Sequence, residues 1–495
     1  METTISAEIL KEFPAVDTAA VDALLRREIE ADDTKFIVLD DDPTGVQTVH
    51  DISVYTDWTV ESICSGLQEP RKLFYILTNS RGLTVEETTA VHREIAANAA
   101  EAAARTGKHY LIMSRSDSTL RGHFPLETEL LREGMEEAGR HVDGEILCPF
   151  FLEGGRFTIG NTHYVQYGDE LVPAAQTEFA KDKSFGYTHS DLPGYIEEKT
   201  GGRYPASGVT CISLEELRAQ DYDGIVEKLM AVTDFNKVCV NAIDACDVKV
   251  FAVALYRAMA RGKTFMFRTA AELVKVVGGI TDIPLLKRQD MVTVDTHTGG
   301  LVVVGSHTQK TTAQLQALLE LPCTVPIEFQ SDLVLQGDEA LSAEVDRCVA
   351  LEEEAILAGK VAVCYTNRRL LTVENDTKES ALVRSVKISH GVQSLVARLK
   401  VTPAFLIAKG GITSSTIGTD ALGVKKANVL GQICPGIPVW QTDPGSKFPG
   451  IPYVIFPGNV GGAETLRQAV ETLRDSARWQ AAHWQTWSVA AWRGQ

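Results

Sequence analysis

The sequence predicts an α/β protein of two domains, each with a mostly parallel sheet and with the active site in the cleft between them. The chain has 495 residues, more than one ordinary core accommodates. Short apolar runs alternate with longer runs of helical spacing, which is typical of βαβ units. The alternation stops near residues 283–290 and then resumes, so we predict domains over residues 1–290 and 291–495.

Composition and charge limit the classes of partner. Hydrophobic residues make up 44% of the chain and charged residues 23%, as in globular proteins. The formal net charge of −18 argues against nucleic acid or an anionic membrane as partner, because a phosphate backbone is bound mainly by clustered Lys and Arg. A small anionic substrate would therefore need a local basic site.

The cysteines and the N-terminus indicate the compartment. The chain has 9 cysteines, an odd number without a C-x-x-C pair, which fits a reducing environment. Residues 1–13 lack the apolar segment of a signal peptide, and no apolar run reaches the roughly 18 residues of a membrane span. We therefore expect a cytoplasmic protein without a membrane anchor. A homodimer is compatible with the sequence, which does not define the oligomeric state.

The first domain is predicted from strands and helices that alternate along the chain. A helix over 14–30 leads into an apolar strand over 36–39. A long helix begins with a capping box at Thr84 and Glu87 and ends at Gly107. The remaining predicted elements are a capping box at Ser213 and Glu216 and strands at 73–77, 110–113, 145–148, 209–212, 237–241 and 264–268.

Two segments lie outside this alternation. Between about 157 and 205 the sequence is irregular and rich in Gly, Tyr and His, with a polar element at 176–182. A connection this long is often a functional lid, but decoration and disorder are equally open interpretations. The C-terminal tail is predicted to be a helix that packs its aromatic rings on a core or a partner, through Trp479, Trp484, Trp487 and Trp492.

Polar side chains follow the ends of four predicted strands, at 40–44, 79–81, 115–121 and 153–156. The carboxyl ends of parallel strands line the ligand crevice of an open α/β sheet. Carboxylates, hydroxyls and arginines repeated there predict one shared pocket, since a guanidinium binds both oxygens of a carboxylate or phosphate. Any single arginine is more often a surface residue or a cap, so the prediction rests on the cluster. The candidate substrate-binding residues are Asp42, Thr44, Arg81, Arg115, Ser118, Arg121 and Arg156.

The second domain repeats the order strand, glycine turn, helix. Strands are predicted at 301–304, 361–365, 404–408 and 453–456, and glycine turns at 305–308, 410–415 and 458–462. Such turns offer backbone N–H groups to phosphate oxygens. One turn is weak evidence, whereas three in one domain predict a nucleotide site. None fits the Walker or the dinucleotide glycine pattern.

Several of these motifs together resemble the four-carbon acid sugar kinases. They occur in the same order along nearly the whole chain, and Asp-Ser-Thr-Leu-Arg-Gly at 117–122 is the most specific. In that family an N-terminal domain binds a sugar acid such as threonate, erythronate or a 3-oxo-tetronate, a C-terminal domain binds ATP, and phosphate goes to the terminal hydroxyl. The other matching segments are Asp-Asp-Pro-Thr-Gly at 41–45, Pro-Phe at 149–150, Gly-Arg at 155–156, Gly-Ser at 305–306, Gly-Gly-Ile-Thr at 410–413 and the late glycine turn.

The resemblance assigns residues to both ligands. It implies that the acid lies near Asp41, Arg81, Asp117, Ser118 and Arg121. It also implies that the nucleotide lies on Ser306, Gly410, Gly411, Ile412, Thr413 and Gly458. Two segments depart from the family pattern: Arg115 stands where lysine is usual, and the late turn reads Phe-Pro-Gly-Asn-Val-Gly-Gly from residue 456. The family usually has a lysine at the start of this turn, followed by Ser or Ala and Gly-Gly-Phe-Gly, so the missing lysine bears on ATP binding. The departures are compatible with a subgroup that uses a different acid substrate.

The resemblance implies a mechanism of phosphoryl transfer. This reaction needs in-line positioning, neutralisation of the charge on the moving group and often a carboxylate that accepts the hydroxyl proton. We expect Arg81, Arg115 and Arg121 to clamp the substrate carboxylate, and Asp41 or Asp117 to orient or deprotonate the attacking hydroxyl. Mg²⁺ would bridge the phosphates of ATP with few direct protein ligands.

Two other functions remain open from the sequence. Asp40-x-Asp42-x-Thr44 after an apolar strand matches the signature of haloacid-dehalogenase-type phosphatases, in which the first Asp attacks phosphorus. Asp244 and Asp247 would then form the later acidic motif, with a helix N-cap as the alternative for either. A phosphatase leaves the three glycine turns without a role. The other alternative is a non-catalytic sensor that binds a sugar acid and keeps a nucleotide.

Overall fold

The structure is a computed structural model that describes residues 3–293, 297–369, 371, 373, 376–458 and 460–474. It confirms the predicted α/β fold with two domains and mostly parallel sheets. The chain forms two compact units, Met1–Ile283 and Pro284–Gln495. The predicted C-terminal helix with its tryptophans lies outside the described residues.

The strands of the first unit form a parallel main sheet and a smaller antiparallel one. They are β1 (Ile5–Ser6), β2 (Lys35–Asp40), β3 (Ile52–Tyr55), β4 (Leu73–Leu77), β5 (Tyr110–Arg115), β6 (Gly144–Cys148), β7 (Arg156–Ile159), β8 (Thr162–Tyr167), β9 (Glu170–Pro173), β10 (Thr210–Ile212), β11 (Asn236–Val240) and β12 (Phe265–Thr269). The main sheet has the order β10, β11, β6, β12, β5, β2, β4, β3, and every neighbouring pair is parallel.

Helices connect these strands and cover the sheet, as βαβ units require. The predicted capping boxes are confirmed at Thr84 and at Ser213, and Gly107 ends the long helix with a φ of 67°. The helices are α1 (Thr18–Ala31), α2 (Val60–Gln68), α3 (Val85–Thr106), α4 (Leu126–Glu137), α5 (Leu192–Lys199), α6 (Leu214–Arg218), α7 (Tyr222–Met230), α8 (Ala245–Ala260) and α9 (Ala271–Val277).

The segment between 157 and 205 is more ordered than the sequence suggested. Strands β7, β8 and β9 pair with β1 in an antiparallel sheet, and α5 follows. Gly160 and Asn161 form the turn between β7 and β8 with φ angles of 55° and 68°, which suits a tight hairpin. These strands carry buried polar residues: Thr158 and His163 are fully buried and lie 3.0 Å apart, from Oγ1 to Nδ1. The hydrophobic alternation that marks a strand is therefore absent.

The second unit also has a mostly parallel sheet. Its elements are α10 (Arg288–Met291), β13 (Leu301–Val304), α11 (Gln309–Leu319), β14 (Thr324–Phe329), α12 (Asp338–Leu357), β15 (Val361–Thr366), α13 (Lys378–Ala397), β16 (Leu406–Lys409), α14 (Gly411–Thr416), β17 (Lys426–Cys434), β18 (Ile437–Thr442), β19 (Pro452–Phe456) and α15 (Thr465–Leu473). The order is β17, β18, β19, β16, β13, β15, β14, and among the described strands of this unit only the pairs that involve β18 are antiparallel.

Apolar side chains from these strands and from α11 and α15 form the core of the second unit. Val302, Val454 and Leu466 are fully buried in it. Each side chain removed from water in this way contributes about 1.5–3 kcal/mol. In the part of the chain that the structure describes, we find no helical segment with the length and apolar character of a membrane crossing.

Candidate functional site

Polar loops leave the main sheet of the first unit at a common edge. Strands β6, β12, β5, β2 and β4 are neighbours and run in parallel, so their carboxyl ends lie side by side. The segments that follow β2, β4, β5 and β6 begin at Asp41, Thr78, Ser116 and Pro149. These segments carry the residues that the sequence assigns to the substrate.

Arg81 joins the first two of these loops. Its guanidinium donates from Nη2 to Asp41 Oδ1 at 2.6 Å and from Nε to Asp41 Oδ2 at 3.2 Å. Its Nη1 donates to Asp42 Oδ2 at 3.0 Å. The other oxygen of Asp42 accepts hydrogen bonds from the Thr44 hydroxyl at 2.6 Å and from the Thr44 amide at 2.9 Å. The structure thus brings four of the candidate residues into one hydrogen-bonded cluster.

The carboxyls around Arg81 differ in pKa. Burial raises the pKa of Asp41, and the Arg81 guanidinium offsets this effect only in part. Burial acts on Asp42 as well, but the charge of Arg81 and the hydrogen bonds from Thr44 outweigh it and lower the pKa of Asp42. At Asp117 burial is again outweighed, here by the charges of Arg81 and Arg121, which hold its pKa far below the usual value. Asp117 is therefore an anion at every pH at which the protein is expected to work.

Asp40 and Arg115 form a separate pair at the ends of β2 and β5. Arg115 Nη1 lies 3.6 Å from Asp40 Oδ1, and both side chains are buried. Burial raises the pKa of Asp40 to about 8, so this carboxyl is mostly protonated at neutral pH. Arg115 is thus engaged inside the fold with Asp40.

The loop after β5 folds around the Asp117 carboxylate. Asp117 Oδ2 accepts hydrogen bonds from the Thr119 hydroxyl and from Arg121 Nε, the latter at 2.8 Å. Gly122 turns the chain with a φ of 116°, and a Cβ there would lie 3.2 Å from Asp41 Oδ2. The Asp117 loop and the Asp41 loop therefore approach each other closely at Gly122.

Side chains from distant parts of the first unit fix the backbone of this loop. Successive carbonyl oxygens accept hydrogen bonds from them: that of Ser118 from His163 Nε2 at 2.7 Å, that of Thr119 from the Tyr187 hydroxyl at 2.7 Å, that of Leu120 from the Tyr195 hydroxyl at 2.8 Å, and that of Arg121 from Arg268 Nη2 at 2.7 Å. Leu120 itself has a φ of 67°, which is unusual for a leucine. The four donors were missed by the sequence analysis, although three of them lie in the stretch rich in Tyr and His.

Two candidate arginines lie against one aromatic ring. The guanidinium carbons of Arg121 and Arg156 lie 5.1 Å and 5.5 Å from the ring centroid of Phe179. Phe179 belongs to the polar element at 176–182. Arg156 donates to the Gly154 carbonyl, and its buried Nε has no hydrogen-bond partner among the described residues. Cation–π contact with Phe179 orients both guanidinium groups.

The acidic residues after β11 have structural roles. Asp244 is the N-cap of α8 and forms a capping box with Asp247. Asp247 is fully buried and pairs with Arg218, whose Nε lies 2.6 Å from Asp247 Oδ1. In the described residues no group of three or more His, Cys, Asp and Glu side chains is arranged to hold a metal ion.

In the second unit the three glycine turns come together. The Gly410 amide donates to the Phe456 carbonyl at 2.9 Å, which places the second turn beside the strand that leads into the third. The Thr311 hydroxyl lies 3.0 Å from Ser306 Oγ and 3.3 Å from the Gly458 carbonyl oxygen, so it joins the first turn to the third. Three turns that lie far apart in the sequence, at 305–308, 410–415 and 458–462, thus form one surface.

Glycine is required where these turns pack on one another. A Cβ at Gly305 would lie 2.2 Å from Thr413 Oγ1. Gly410 has a φ of 126°, and a Cβ there would lie 3.3 Å from Ser306 Cβ. The turns predicted to hold the nucleotide can therefore pack this closely only because Gly305 and Gly410 have no side chain.

Gly411 and Ile412 face outwards from this cluster. A Cβ at Gly411 would meet no protein atom within 4 Å, and Ile412 is 75% exposed. An exposed large aliphatic residue next to an open glycine provides an apolar surface beside the turns.

Comparison with known protein families gives one match in each of the two units. Residues 36–277 match the family described as a sugar-binding N-terminal domain, and residues 301–466 match the family described as a nucleotide-binding C-terminal domain. No curated protein matches the chain in sequence.

Solved structures show the same fold. A Salmonella typhimurium LT2 protein, described as a candidate tRNA synthase, is 16% identical with a TM-score of 0.63, over 88% of this chain and 98% of its own. A Haemophilus influenzae protein of family DUF1537 is 16% identical with a TM-score of 0.57, over 88% of this chain and 100% of its own. At this identity the likeness concerns the fold alone. The two matched domains, which together span most of the chain, show that it belongs to the family with the two-domain architecture of the four-carbon acid sugar kinases.

Proposed function

We propose that this protein is an ATP-dependent kinase that transfers the γ-phosphoryl group to the terminal hydroxyl of a four-carbon sugar acid. Residues 1–290 bind the acid and residues 291–495 bind the nucleotide. The observation that carries the proposal is the Arg81 cluster. Its guanidinium lies beside Asp41, whose pKa is raised, and its charge helps to lower the pKa of Asp117. The cluster belongs to the unit that matches a sugar-binding domain. Such a pair of unlike carboxyls divides the roles of proton acceptor and fixed anion.

Asp41 is the proton acceptor in this proposal. A carboxylate with a raised pKa is the better base, whereas one with a very low pKa gains little by taking a proton. Asp117 stays ionised and accepts hydrogen bonds from the hydroxyl groups of the acid. Arg81 aligns Asp41 through two hydrogen bonds and leaves a further lone pair on each oxygen for the substrate.

Arg121 and Arg156 bind the carboxylate of the acid. Both are held on Phe179, and Arg156 Nε has no partner among the described residues. A planar guanidinium suits a carboxylate because it donates two parallel hydrogen bonds. Arg115, which the sequence analysis included in this clamp, pairs with Asp40 and acts on the substrate only through its charge.

The glycine turns of the second unit fit a nucleotide. Ser306, Gly410 and Gly458 lie together with Thr413 packed among them, and Gly411 beside them leaves the backbone open to a ligand. We place the phosphates on these turns and the base against exposed Ile412. ATP supplies the transferable phosphoryl group, and Mg²⁺ that arrives with it neutralises phosphate charge.

The two alternatives are less well supported. A phosphatase nucleophile must be ionised at neutral pH, whereas burial raises the pKa of Asp40 to about 8. The residues considered for the later acidic motif, Asp244 and Asp247, cap a helix and pair with Arg218. A non-catalytic sensor would not require a carboxyl of raised pKa beside the acid site.

The test uses purified protein with Mg-ATP and the stereoisomers of threonate and erythronate, with the product identified by phosphorus NMR. We expect a phosphate ester at the terminal hydroxyl of at least one acid. Asp41→Asn should lower kcat by about a hundredfold or more while nucleotide affinity is retained, and Asp117→Asn should mainly raise KM for the acid. Asp51→Asn is the control, because Asp51 is exposed and pairs with Arg71 at 3.4 Å. Near-normal turnover of both Asp41→Asn and Asp117→Asn would remove the carboxylate roles.

A further inference from the structure

Lys409 is a fully buried lysine at the centre of the glycine turns. It is the last residue of β16 and precedes Gly410, and its exposed fraction is 0%. Its Nζ donates to the Pro457 carbonyl at 2.5 Å and to the Gly458 carbonyl at 3.2 Å, and it lies 4.3 Å from the ring centroid of Phe456. The lysine therefore ties the second glycine turn to the third.

The charge of this lysine is not balanced by a carboxylate among the described residues. A buried ammonium costs free energy unless an anion or several hydrogen bonds compensate it. Burial, together with the nearby charge of Lys310, lowers the pKa of Lys409 to about 7. The other titratable groups on the adjoining turns are His307, whose pKa burial also lowers, and Arg368, whose Nη1 donates to the Ser306 carbonyl at 2.7 Å. The described surroundings of the ammonium are thus neutral or positive.

We propose that Lys409 is a positioning residue of the nucleotide site, which orients the 457–458 turn. When the nucleotide binds, its phosphates supply the negative charge that the buried lysine lacks, and Lys409 takes up a proton. The carbonyls of Pro457 and Gly458 accept hydrogen bonds from the ammonium, and the Gly458 N–H, which lies opposite the Pro457 carbonyl in the same peptide plane, is left to face a ligand. The proton comes from solvent, and no covalent bond changes. The inference rests on the proposed function only in that the second unit binds a nucleotide.

The coupling between proton binding and nucleotide binding predicts how nucleotide affinity changes with pH. Free protein at pH 8 holds Lys409 mostly as the neutral amine, because its pKa is about 7. Bound phosphates favour the charged form, so binding must draw a proton from solvent. Nucleotide affinity should therefore fall as pH rises from 7 to 9.

The experiment is calorimetry of ADP binding at pH 8 in HEPES and in Tris, whose different ionisation enthalpies report proton uptake. The wild-type protein should take up most of a proton, and Lys409→Met should abolish the uptake and weaken ADP binding by about tenfold or more. Lys409→Arg, which cannot lose its charge, should bind without uptake. Lys447→Met is the control, because Lys447 also donates to a carbonyl, that of Ala397 at 2.7 Å, and lies 5.5 Å from the Phe448 ring centroid.

The outcomes separate this inference from the proposed function. Failure of the wild-type protein to bind ADP would contradict the nucleotide site itself and, with it, both proposals. Binding without proton uptake by the wild-type protein would overturn the role of Lys409 alone, and this result needs no variant that might misfold. Unchanged uptake in folded Lys409→Met would do the same.

Discussion

Arg81 holds Asp41 by both carboxylate oxygens, with Nη2 2.6 Å from Oδ1 and Nε 3.2 Å from Oδ2. The same guanidinium donates to Asp42 and lowers the pKa of Asp117 by its charge. One side chain thereby fixes the direction of a carboxyl that could accept a proton and stabilises two that remain anions.

Arg81→Lys should lower kcat/KM for the acid by about a hundredfold, because an ammonium is a point charge and cannot align both oxygens of Asp41. The thermal midpoint should change little, since the charge is kept. Steady-state kinetics would measure this, with Arg105→Lys as control, because Arg105 pairs with Glu61 at 3.2 Å on the surface. Equal loss in both variants would contradict the specific role of Arg81.

Tyr187→Phe and Tyr195→Phe should each lower the free energy of unfolding by about 1 kcal/mol, because each leaves a buried carbonyl of the Asp117 loop without its donor. KM for the acid should rise in both variants, since the loop carries Asp117 and Arg121. Tyr75→Phe is the matched control: the Tyr75 hydroxyl is buried and has no hydrogen-bond partner among the described residues. Loss of the Tyr75 hydroxyl should leave the free energy of unfolding unchanged or raise it. If all three variants behave alike, the hydroxyls do not hold the loop.

Asp40→Asn should make the protein more stable at alkaline pH. The pKa of Asp40 is about 8 in the fold against an ordinary value of 3.8, so the folded state binds the extra proton between these limits. Stability from this group is present at low pH and is lost as pH rises toward 8. Asparagine keeps the neutral shape, so the gain in thermal midpoint over wild type should grow from pH 5 to pH 8.5.

The same variant separates kinase from phosphatase. Asp40→Asn should retain kinase activity, because Asp40 lies outside the Arg81 cluster. A phosphatase that used Asp40 as its nucleophile would lose all turnover. A stability gain that did not depend on pH would contradict the assigned pKa shift.

Gly411→Ala should weaken nucleotide binding about tenfold without lowering the thermal midpoint. A Cβ at this position meets no protein atom within 4 Å, and alanine favours the helix that starts there. Only a ligand close to the backbone would collide with the added methyl group. Fluorescence titration with a nucleotide analogue would measure the change, with Gly208→Ala as control, where the nearest atom lies 3.9 Å from the Cβ position. Full affinity in Gly411→Ala would place the nucleotide elsewhere.

Much of the fold could be predicted because its strands are buried on both faces. Leu73–Leu77 reads as an unbroken apolar run and is a strand over the same residues in the structure. β17 was missed because it is not an unbroken apolar run: Lys426, Gly431 and Gln432 stand among its 9 residues. The hairpins of β7, β8 and β9 were missed for a similar reason, since buried polar residues replace the apolar face there.

The candidate site was predictable only where its residues follow a strand directly. Asp41, Arg81 and Asp117 stand at strand ends, where the rule for parallel sheets applies. Arg268 lies inside β12 and appears in the sequence as an ordinary strand residue, although it donates to the Arg121 carbonyl and pairs with Glu127 at 3.4 Å. Every residue has a carbonyl, so a sequence pattern cannot indicate which carbonyls distant side chains bind.

The most direct test of the account is ADP release by the purified protein with Mg-ATP across a panel of four-carbon sugar acids, each measured against a reaction without acid. We expect at least one acid to raise ADP release well above that background and Asp41→Asn to abolish the increase. The contradictory result is a protein that binds both ATP and an acid, yet releases no more ADP with any acid of the panel than without one.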